Sequence, residues 1–447
     1  MDILSLLQCL QPSLTRTTVG QLSHIVLALL TMSGRVTMLG IARWTDVGGS
    51  YRTVQRWFYF AIPWAQVFWL FFRQHLFHAD DVYLLAGDEV VVTKAGHQTF
   101  GLDRFFSGLL KKPVPGLSFF ALSLVSLKER RAFPIQLEQV VRSAEEKAAC
   151  QAKAAARHQP GPKRPVGRPK GSRNQNQPVA SLHPELQRIQ RMLQALLHLS
   201  TGVLSLTYLL LDGHFGNRHA FQMARACGLQ LISKLRSDSA LYLPYTGPQR
   251  PRGARRKYGA KIDYRHPPAQ FLKQSSVDGE IETRIFQARL LHRAFAQPLN
   301  VVILVKRNLK TQACAHVVLF SSDLALTAEQ IIDYYSLRFQ IEFNFRDAKQ
   351  FWGLEDFMNV KQTAVTNAAN LSLFMVNVAH RLLHDFRADD TLFSVLDLKA
   401  HCRALKYVTE TIKMLPQKLD ANLIAPLLRH VTALGRIHTT NSRPASS

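Results

Sequence analysis

The stretch TYLLLDGHFGNRHAFQMARACG (207–228) decides the fold class. Its first part, TYLLLD, predicts a buried strand that ends at a carboxylate, and NRHAFQMARACG (217–228) predicts a helix that stops at a glycine. The next residues, LQLISKLR (229–236), predict a second strand. A strand, a turn, a helix and another strand in this order indicate an α/β domain with a mixed sheet.

The pattern extends in both directions from this stretch. β-rich runs predict further strands at 81–94, 118–127, 132–141, 281–291, 299–306 and 315–321. Helices are expected at 143–157 and 182–199. The later strands would form a β-rich insertion between two parts of the α/β domain.

Residues 1 to about 75 are expected to be helical, because LSHIVLALLTMSG repeats apolar residues at helical spacing and ends at a glycine. A short helix, the turn GGS (48–50) and a helix over 51–60 follow, and this arrangement resembles a helix-turn-helix. In that interpretation, Arg52 and Arg56 face DNA. The alternative is an ordinary helical pair whose arginines are solvated.

The chain of 447 residues is strongly basic, with 56 Lys and Arg against 31 Asp and Glu and a formal net charge of +25. A positive field of this size favours a polyanionic partner, because each neutralised phosphate releases a counterion. Charge alone does not separate nucleic acid from an anionic membrane surface. The hydrophobic fraction of 47% is enough for a sizeable core and excludes a wholly disordered chain.

Other features favour a protein of a reducing cytoplasm. The five cysteines lie far apart, so neither a disulfide framework nor a thiolate zinc site is expected. The N-terminus carries an acid where a signal peptide has a base. The most apolar run, 57–72, is shorter than the ~20 residues that span a bilayer, so it predicts a buried helical segment. No membrane partner is expected, because the basic runs lie in Pro/Gly loops.

The sharpest functional signal lies in DYYSLRFQIEFNFRDAKQFWGLE (333–355). Four side chains in it are spaced Y-x2-R-x3-E-x6-K, and these are Tyr335, Arg338, Glu342 and Lys349. At about 100° per residue they fall on one stripe of a single helix. Such a stripe suits a phosphodiester site, because the carboxylate can hold a metal while the other groups bind phosphate oxygens. The alternative is a solvated face with an Arg338–Glu342 ion pair, although such a pair needs neither the tyrosine nor the lysine.

Two further carboxylates are placed in apolar strands or directly after them. Asp212 follows TYLLL at the mouth of the sheet, where active-site residues often lie, and a turn or helix N-cap is the alternative role. Asp88 lies inside YLLAGDEVVVTK, where an acid is costly unless it is paired or bound to a metal. An edge strand with one polar side is the alternative there. Because side chains alternate along a strand, Glu89 is expected on the opposite face.

Together these features resemble the DDE transposases of bacterial insertion sequences, in the branch identified by its Y-R-E-K motif. The resemblance covers about residues 80–385. It implies an RNase H-like core that is interrupted by a mostly β insertion. The catalytic residues that it implies, which would hold two Mg²⁺ ions or Mn²⁺ in their place, are Asp88, Asp212 and Glu342. The residues that it implies as DNA contacts near the cleaved end are Tyr335, Arg338 and Lys349.

Two basic segments interrupt the α/β domain. Within residues 153–178, PVGRPKG (165–171) resembles an AT-hook, a motif that lies extended along the minor groove. Arg168 would enter the minor groove of A·T-rich DNA, and Lys170 would contact phosphates. The alternative is a flexible basic linker without base preference. The second run, 250–265, is expected to follow phosphates without reading bases.

These features predict an all-helical N-terminal DNA-binding domain, a catalytic core in two pieces, the β-rich insertion and a C-terminal helical region with a tail. Their respective ranges are 1–78, 79–229 with 326–385, 230–325 and 386–447. The expected function is a transposase that cleaves the ends of its own element by metal-dependent hydrolysis and joins the 3′-hydroxyl ends to target DNA. Double-stranded DNA would be the partner, and a homodimer would hold two ends together. The alternatives are a non-catalytic DNA-binding protein derived from a transposase and a metal-dependent nuclease without strand transfer.

Overall fold

The chain folds around one large β-sheet. A computed structural model describes residues 2–45, 50–108, 110–148, 152, 182–388, 390–416, 419–434 and 437. The strands within these ranges are β1 (Tyr83–Thr93), β2 (Asp103–Ser107), β3 (Lys112–Ser126), β4 (Arg131–Val140), β5 (Tyr208–Leu211), β6 (Gln230–Lys234), β7 (Leu241–Pro244), β8 (Tyr258–Lys261), β9 (Leu272–Asp278), β10 (Ile281–His292), β11 (Leu299–Asn308) and β12 (Cys314–Ser321).

The sheet is mixed, as the sequence predicts. Its order is β2-β3-β1-β5-β6-β12-β11-β10-β7-β8, with β4 beside β3 and β9 beside β10. The central strands β1, β5 and β6 are parallel, whereas β3 and β12 on either side of them run antiparallel. β5 and β6 are connected through a helix, which is the usual crossover for parallel pairs, whereas β2, β3 and β4 lie between β1 and β5 in the chain.

Helices precede, cross and follow the sheet. They are α1 (Ile3–Leu7), α2 (Arg16–Thr31), α3 (Met38–Trp44), α4 (Tyr51–Tyr59), α5 (Trp64–His75), α6 (Pro184–Ser200), α7 (Arg218–Ala226), α8 (Ala328–Leu337), α9 (Gln340–Phe351), α10 (Gln362–Arg387), α11 (Val395–Met414) and α12 (Ala421–Ala433). The predicted α/β class is therefore confirmed, with an RNase H-like core that follows a helical N-terminal region.

The central strands bury both of their faces. Leu84 of β1 and Leu210 of β5 belong to a cluster that also contains Ile331 of α8. The alternating side chain Leu209 belongs to the main core, together with the buried faces of α6 and α7. Because both faces are covered, polar side chains reach solvent only where a strand ends or where the covering helices leave a gap.

The β-rich region is continuous with the central sheet. β12 pairs with β6, so that Phe320 lies opposite Ser233. β11 pairs with β12, and β10 pairs with β11, so the sheet extends outward one strand at a time. The predicted insertion starts at 230, which in the structure is the first residue of a strand that pairs with β5.

The N-terminal helices share a core with α10. Asn367 of α10 donates to the carbonyls of Phe58 and Phe60 at 2.7 Å each and accepts from the indole N–H of Trp64 at 2.8 Å. One amide thereby fixes the turn between α4 and α5. The apolar run 57–72 spans these two helices and is largely buried, as expected. In the described part of the chain, no helix combines the length and the apolar character needed to cross a bilayer.

The basic segment 153–178 lies outside the described residues, as does most of the helix expected at 143–157. Arg168 and Lys170 of the AT-hook-like motif fall in that segment.

Candidate active site

Asp88 and Asp212 occupy equivalent positions on two adjacent parallel strands. Gly87 of β1 pairs with Leu211 of β5, and each aspartate is the next residue along its strand direction. Because side chains alternate along a strand, both aspartates continue the face that packs against α8. Neighbouring strands lie about 4.8 Å apart, so two carboxylates at this level are close neighbours.

Glu89 is directed to the other face, as the alternation predicts. Its carboxylate accepts a hydrogen bond from the Ser118 hydroxyl. Burial raises the pKa of Glu89, whereas the hydrogen bond from Ser118 lowers it. Two adjacent acids of β1 therefore lie in different surroundings, and only Asp88 faces Asp212.

Asp212 also has the capping role that was the alternative interpretation. Its Oδ1 accepts a hydrogen bond from the backbone N–H of His214 at 3.1 Å and caps a short 3₁₀ helix over Gly213–Phe215. Its carbonyl oxygen accepts from the Ser233 hydroxyl at 2.7 Å, which ties the end of β5 to β6. The cap fixes the orientation of the carboxylate at the end of the strand.

The motif that was expected on one helix lies on two. Arg338 and Phe339 separate α8 from α9. The N–H of Arg338 donates to the carbonyl of Tyr335 at 3.3 Å, and the N–H of Glu342 donates to the carbonyl of Phe339 at 3.0 Å. This spacing of three residues is that of a 3₁₀ turn, which is tighter than an α-helix. The expectation of one continuous α-helix is therefore wrong at this turn.

Arg338 joins two of the three carboxylates. Its Nη1 donates to Asp88 Oδ2 at 2.6 Å, and its Nη2 donates to Glu342 Oε1 at 3.2 Å. The arginine side chain is 12% exposed, that of Asp88 is 19% exposed and that of Glu342 is 42% exposed. The structure thus brings Asp88 and Glu342, 254 positions apart in the chain, onto one guanidinium.

The surroundings of Asp88 disfavour its charged form. The pKa of Asp88 is raised to about 6: burial is the main cause, the Arg338 guanidinium opposes the increase, and the neighbouring Asp212 carboxylate contributes to it. The repulsion between the two aspartates is the electrostatic counterpart of their shared position on the sheet. A cation placed between them would relieve this repulsion.

Tyr335 and Lys349 take different positions in the site. The Tyr335 ring lies 5.8 Å from the Arg338 guanidinium carbon, and burial raises the pKa of its phenol. Lys349 lies further along β1, where its Nζ donates to the carbonyl of Val91 at 3.1 Å and pairs with Glu355 at 2.9 Å. The lysine side chain is 28% exposed. Tyr335 therefore lies beside the carboxylates, and Lys349 lies beyond them along the strand.

A cavity of about 600 Å³ opens beside Asp212, Tyr335 and Arg338. The cavity is also lined by Lys234, the last residue of β6, by Arg236, which pairs with Asp238 at 3.1 Å, and by His316 of β12. The sequence prediction missed these cations. The run LQLISKLR contains both Lys234 and Arg236, but only the folded structure shows that they line the same cavity as the motif turn.

The three carboxylates are the kind of ligand that a divalent cation prefers, but their arrangement in the structure does not form a metal site. Asp88, Asp212 and Glu342 offer carboxylate oxygens, which Mg²⁺ and Mn²⁺ prefer. Among the described residues, however, no group of three or more His, Cys, Asp or Glu side chains is placed to hold one ion. In the structure, Arg338 supplies the positive charge between two of the carboxylates.

The other predicted DNA contacts that the structure describes belong to the N-terminal helices. Arg52 and Arg56 are exposed on α4, whose Val54 and Trp57 are buried. Arg56 lines a shallow surface depression together with Lys361, which also lies over the ring of Tyr59 at 5.4 Å. The helical pair is as expected, and its turn at 46–49 is outside the described residues.

Comparison with known proteins gives one match. Residues 6–297 match the model of a family described as "DDE superfamily endonuclease". This span is about two thirds of the chain; it includes Asp88 and Asp212 and ends before Glu342. No curated protein matches the chain.

Proposed function

Because the chain belongs to the DDE superfamily of endonucleases, we propose that it is the transposase of a mobile element that cuts DNA at the ends of that element. It then joins the free 3′-hydroxyl ends to target DNA. The proposed catalytic and metal-binding residues are Asp88, Asp212 and Glu342. The proposed DNA contacts of the site are Tyr335, Arg338 and Lys349.

One observation carries this proposal. The aspartates of two adjacent parallel strands face the same helix turn, and the arginine of that turn, Arg338, donates hydrogen bonds to both Asp88 and Glu342. When bound there, two divalent ions would supply the Lewis acidity that activates the attacking oxygen and stabilises the leaving oxygen. The three proposed carboxylates would hold these ions beside the central strands. Tyr335 and the cations of the cavity wall orient the phosphodiester.

Surfaces outside the active site would extend the contact with DNA. Arg52 and Arg56 of α4 would contact the terminal repeats. The loop between β7 and β8 exposes a run of five cations, which are Arg250, Arg252, Arg255, Arg256 and Lys257. In this run the Arg256 guanidinium lies 4.5 Å from the centre of the Tyr245 ring. Such a loop fits a phosphate backbone, because its charges need no defined base sequence. A homodimer would bring two element ends together.

The proposal is tested by a pair of variants on adjacent residues. Asp88→Asn is expected to leave binding of the element ends intact and to reduce Mg²⁺-dependent nicking of a supercoiled plasmid that carries them by at least about 10³-fold, because a charged oxygen ligand is lost. Glu89→Gln removes a carboxylate from the opposite face and is expected to keep most of the nicking. Retained nicking in Asp88→Asn would reject this residue as a catalytic ligand.

The same assay separates the proposal from the two alternatives. Joined product in addition to nicks identifies a transposase, and nicks without joined product identify a nuclease. End binding without nicks in Mg²⁺ or Mn²⁺ identifies a DNA-binding protein that has lost catalysis. Inverted repeats on both sides of the gene would independently support mobility.

A further inference from the structure

The shortest ion pair of the candidate active site joins two of its own residues, Arg338 and Asp88. Arg338 donates one hydrogen bond to Asp88 and one to Glu342, and its own side chain is nearly buried. Its Nε–H is buried and has no hydrogen-bond partner among the described atoms. Arg338 is thus held by the two carboxylates and has an unused donor.

A guanidinium and a divalent cation compete for the same carboxylates. Each carboxylate oxygen that accepts a short charge-assisted hydrogen bond has a lone pair directed at the guanidinium. A divalent ion bound by the same two oxygens would compete with the guanidinium for them, and the two positive groups would also repel each other. The carboxylates therefore bind either the arginine or the metal at full strength.

We propose that Arg338 keeps the carboxylates closed to metal in the DNA-free protein and that a DNA phosphate opens the site by taking over the guanidinium. This inference rests on the proposed function and adds a mechanism of control to it. In this mechanism Arg338 couples the two binding events: phosphate releases Asp88 and Glu342, and the released oxygens then bind the ions.

The cavity beside Arg338 provides a place for this exchange. Arg338 and Tyr335 line this cavity together with Lys234 and Arg236, and Arg236 also pairs with Asp238. A phosphate in this cavity would meet the positive charges of Arg338 and Lys234. The flat fork of an arginine binds a phosphate through two parallel hydrogen bonds as well as it binds a carboxylate, so the exchange keeps the guanidinium paired.

Coupling of this kind is reciprocal. If DNA tightens metal binding by a given factor, then metal tightens DNA binding by the same factor. Factors of roughly 5 to 150 are typical of coupled sites.

The experiment measures Mn²⁺ binding to the full chain by electron paramagnetic resonance, without DNA. Arg338→Met is expected to bind Mn²⁺ at least about fivefold more tightly than the unaltered chain, because the competing guanidinium is gone. Arg130→Met is the matched control, because Arg130 also pairs with an acid of α8, Asp333, at 2.7 Å but touches none of the three carboxylates. Its Mn²⁺ affinity should equal that of the unaltered chain.

A second variant shows where the ion binds. Adding Asp88→Asn to Arg338→Met is expected to abolish the gain in affinity. If Arg338→Met does not fold, the unaltered chain is titrated with Mn²⁺ in the presence of a short nuclease-resistant phosphorothioate duplex, and the affinity is expected to rise by the factor by which Mn²⁺ tightens duplex binding.

The outcomes separate this inference from the proposed function. Equal Mn²⁺ affinity in Arg338→Met and the unaltered chain, or an affinity that the duplex does not change, overturns the control by Arg338. If Asp88→Asn still abolishes nicking in that case, the proposed function stands. Nicking that survives Asp88→Asn overturns both.

Discussion

At the scale of single residues, Gly216 shows how closely the turn after Asp212 approaches β6. A Cβ at this position would lie 2.1 Å from the carbonyl oxygen of Lys234, which is backbone and cannot rotate away. The turn that begins with the Asp212 cap therefore depends on the absence of a side chain here. Any displacement of the turn moves the carboxylate that caps it.

Gly216→Ala is expected to lower the free energy of unfolding by about 1–3 kcal/mol, because the added methyl group overpacks the contact between the turn and the strand. Urea denaturation measures this change, and DNA nicking should fall with it. Gly20→Ala is the control: Gly20 lies in α2 with open space around its Cβ position, and alanine there should stabilise the chain by up to about 1 kcal/mol. Equal effects of the two substitutions would contradict the close approach.

The placement of individual acids could be predicted in part. Alternation along β1 separated Asp88 from Glu89 correctly, because the period of a strand is independent of its neighbours. The bond from Arg338 to Asp88 could not be predicted, because it depends on how a turn from residue 338 meets a strand from residue 88. The roles of these residues in catalysis stay predictions.

At the scale of elements, the break between α8 and α9 shows a limit of periodicity. Residues 333–355 contain no proline, and their first glycine, Gly353, comes after α9 has ended. The sequence therefore gives no sign that the helix is interrupted. The turn tightens where α8, which packs on the central strands, passes into α9. Tertiary packing of this kind overrides a helical pattern that is continuous in sequence.

A second element-scale feature is the docking of α11 on the end of α2. Arg403 Nε donates to the carbonyl of Thr31 at 2.9 Å, and Lys399 Nζ donates to the carbonyl of Leu29 at 2.5 Å. The last carbonyls of a helix have no partner within the helix, so these side chains satisfy groups that would otherwise be buried unpaired. Burial and, to a smaller extent, the neighbouring Arg403 lower the pKa of Lys399 to about 8.

This depressed pKa predicts a pH dependence of stability. An unfolded lysine has a pKa near 10.4, so between pH 8 and 10.4 the unfolded chain binds more protons at residue 399 than the folded chain does. Relative to Lys399→Met, the unaltered chain should therefore gain stability as pH rises through this window, in total on the order of 3 kcal/mol. Urea denaturation at pH 7.5, 9 and 10 tests this, and a constant difference between the two chains would contradict it.

At the scale of the whole molecule, one continuous sheet connects the parts of the chain. The N-terminal helices, the central strands and the β-rich region are joined by shared core and continuous strand pairing. The α/β class could be predicted because strand and helix periods alternate along the chain. The extension of the central sheet into the β-rich region could not, because strand runs do not specify their partners.

The net charge of +25 and the AT-hook-like segment predict how binding responds to sequence. Arg168→Ala is expected to weaken binding to an A·T-rich duplex by about tenfold and to a G·C-rich duplex by much less, because the narrow groove of A·T-rich DNA has the more negative potential. Fluorescence anisotropy at several salt concentrations measures both affinities. An equal loss on the two duplexes would favour a plain basic linker.

The wide separation of Asp88 and Glu342 in the chain also determines how late in protein synthesis the proposed site can be completed. Ribosomes add about 5–20 residues per second, so the helix with the glutamate emerges on the order of ten to fifty seconds after the strand with the first aspartate. From Asp212 onward, the nascent chain holds both aspartates but lacks the glutamate until Glu342 is added. If the three carboxylates act together as proposed, a ribosome that stalls or a message that is cut short within this interval yields only inert fragments, and the ability to cut DNA arises in a single late step of synthesis.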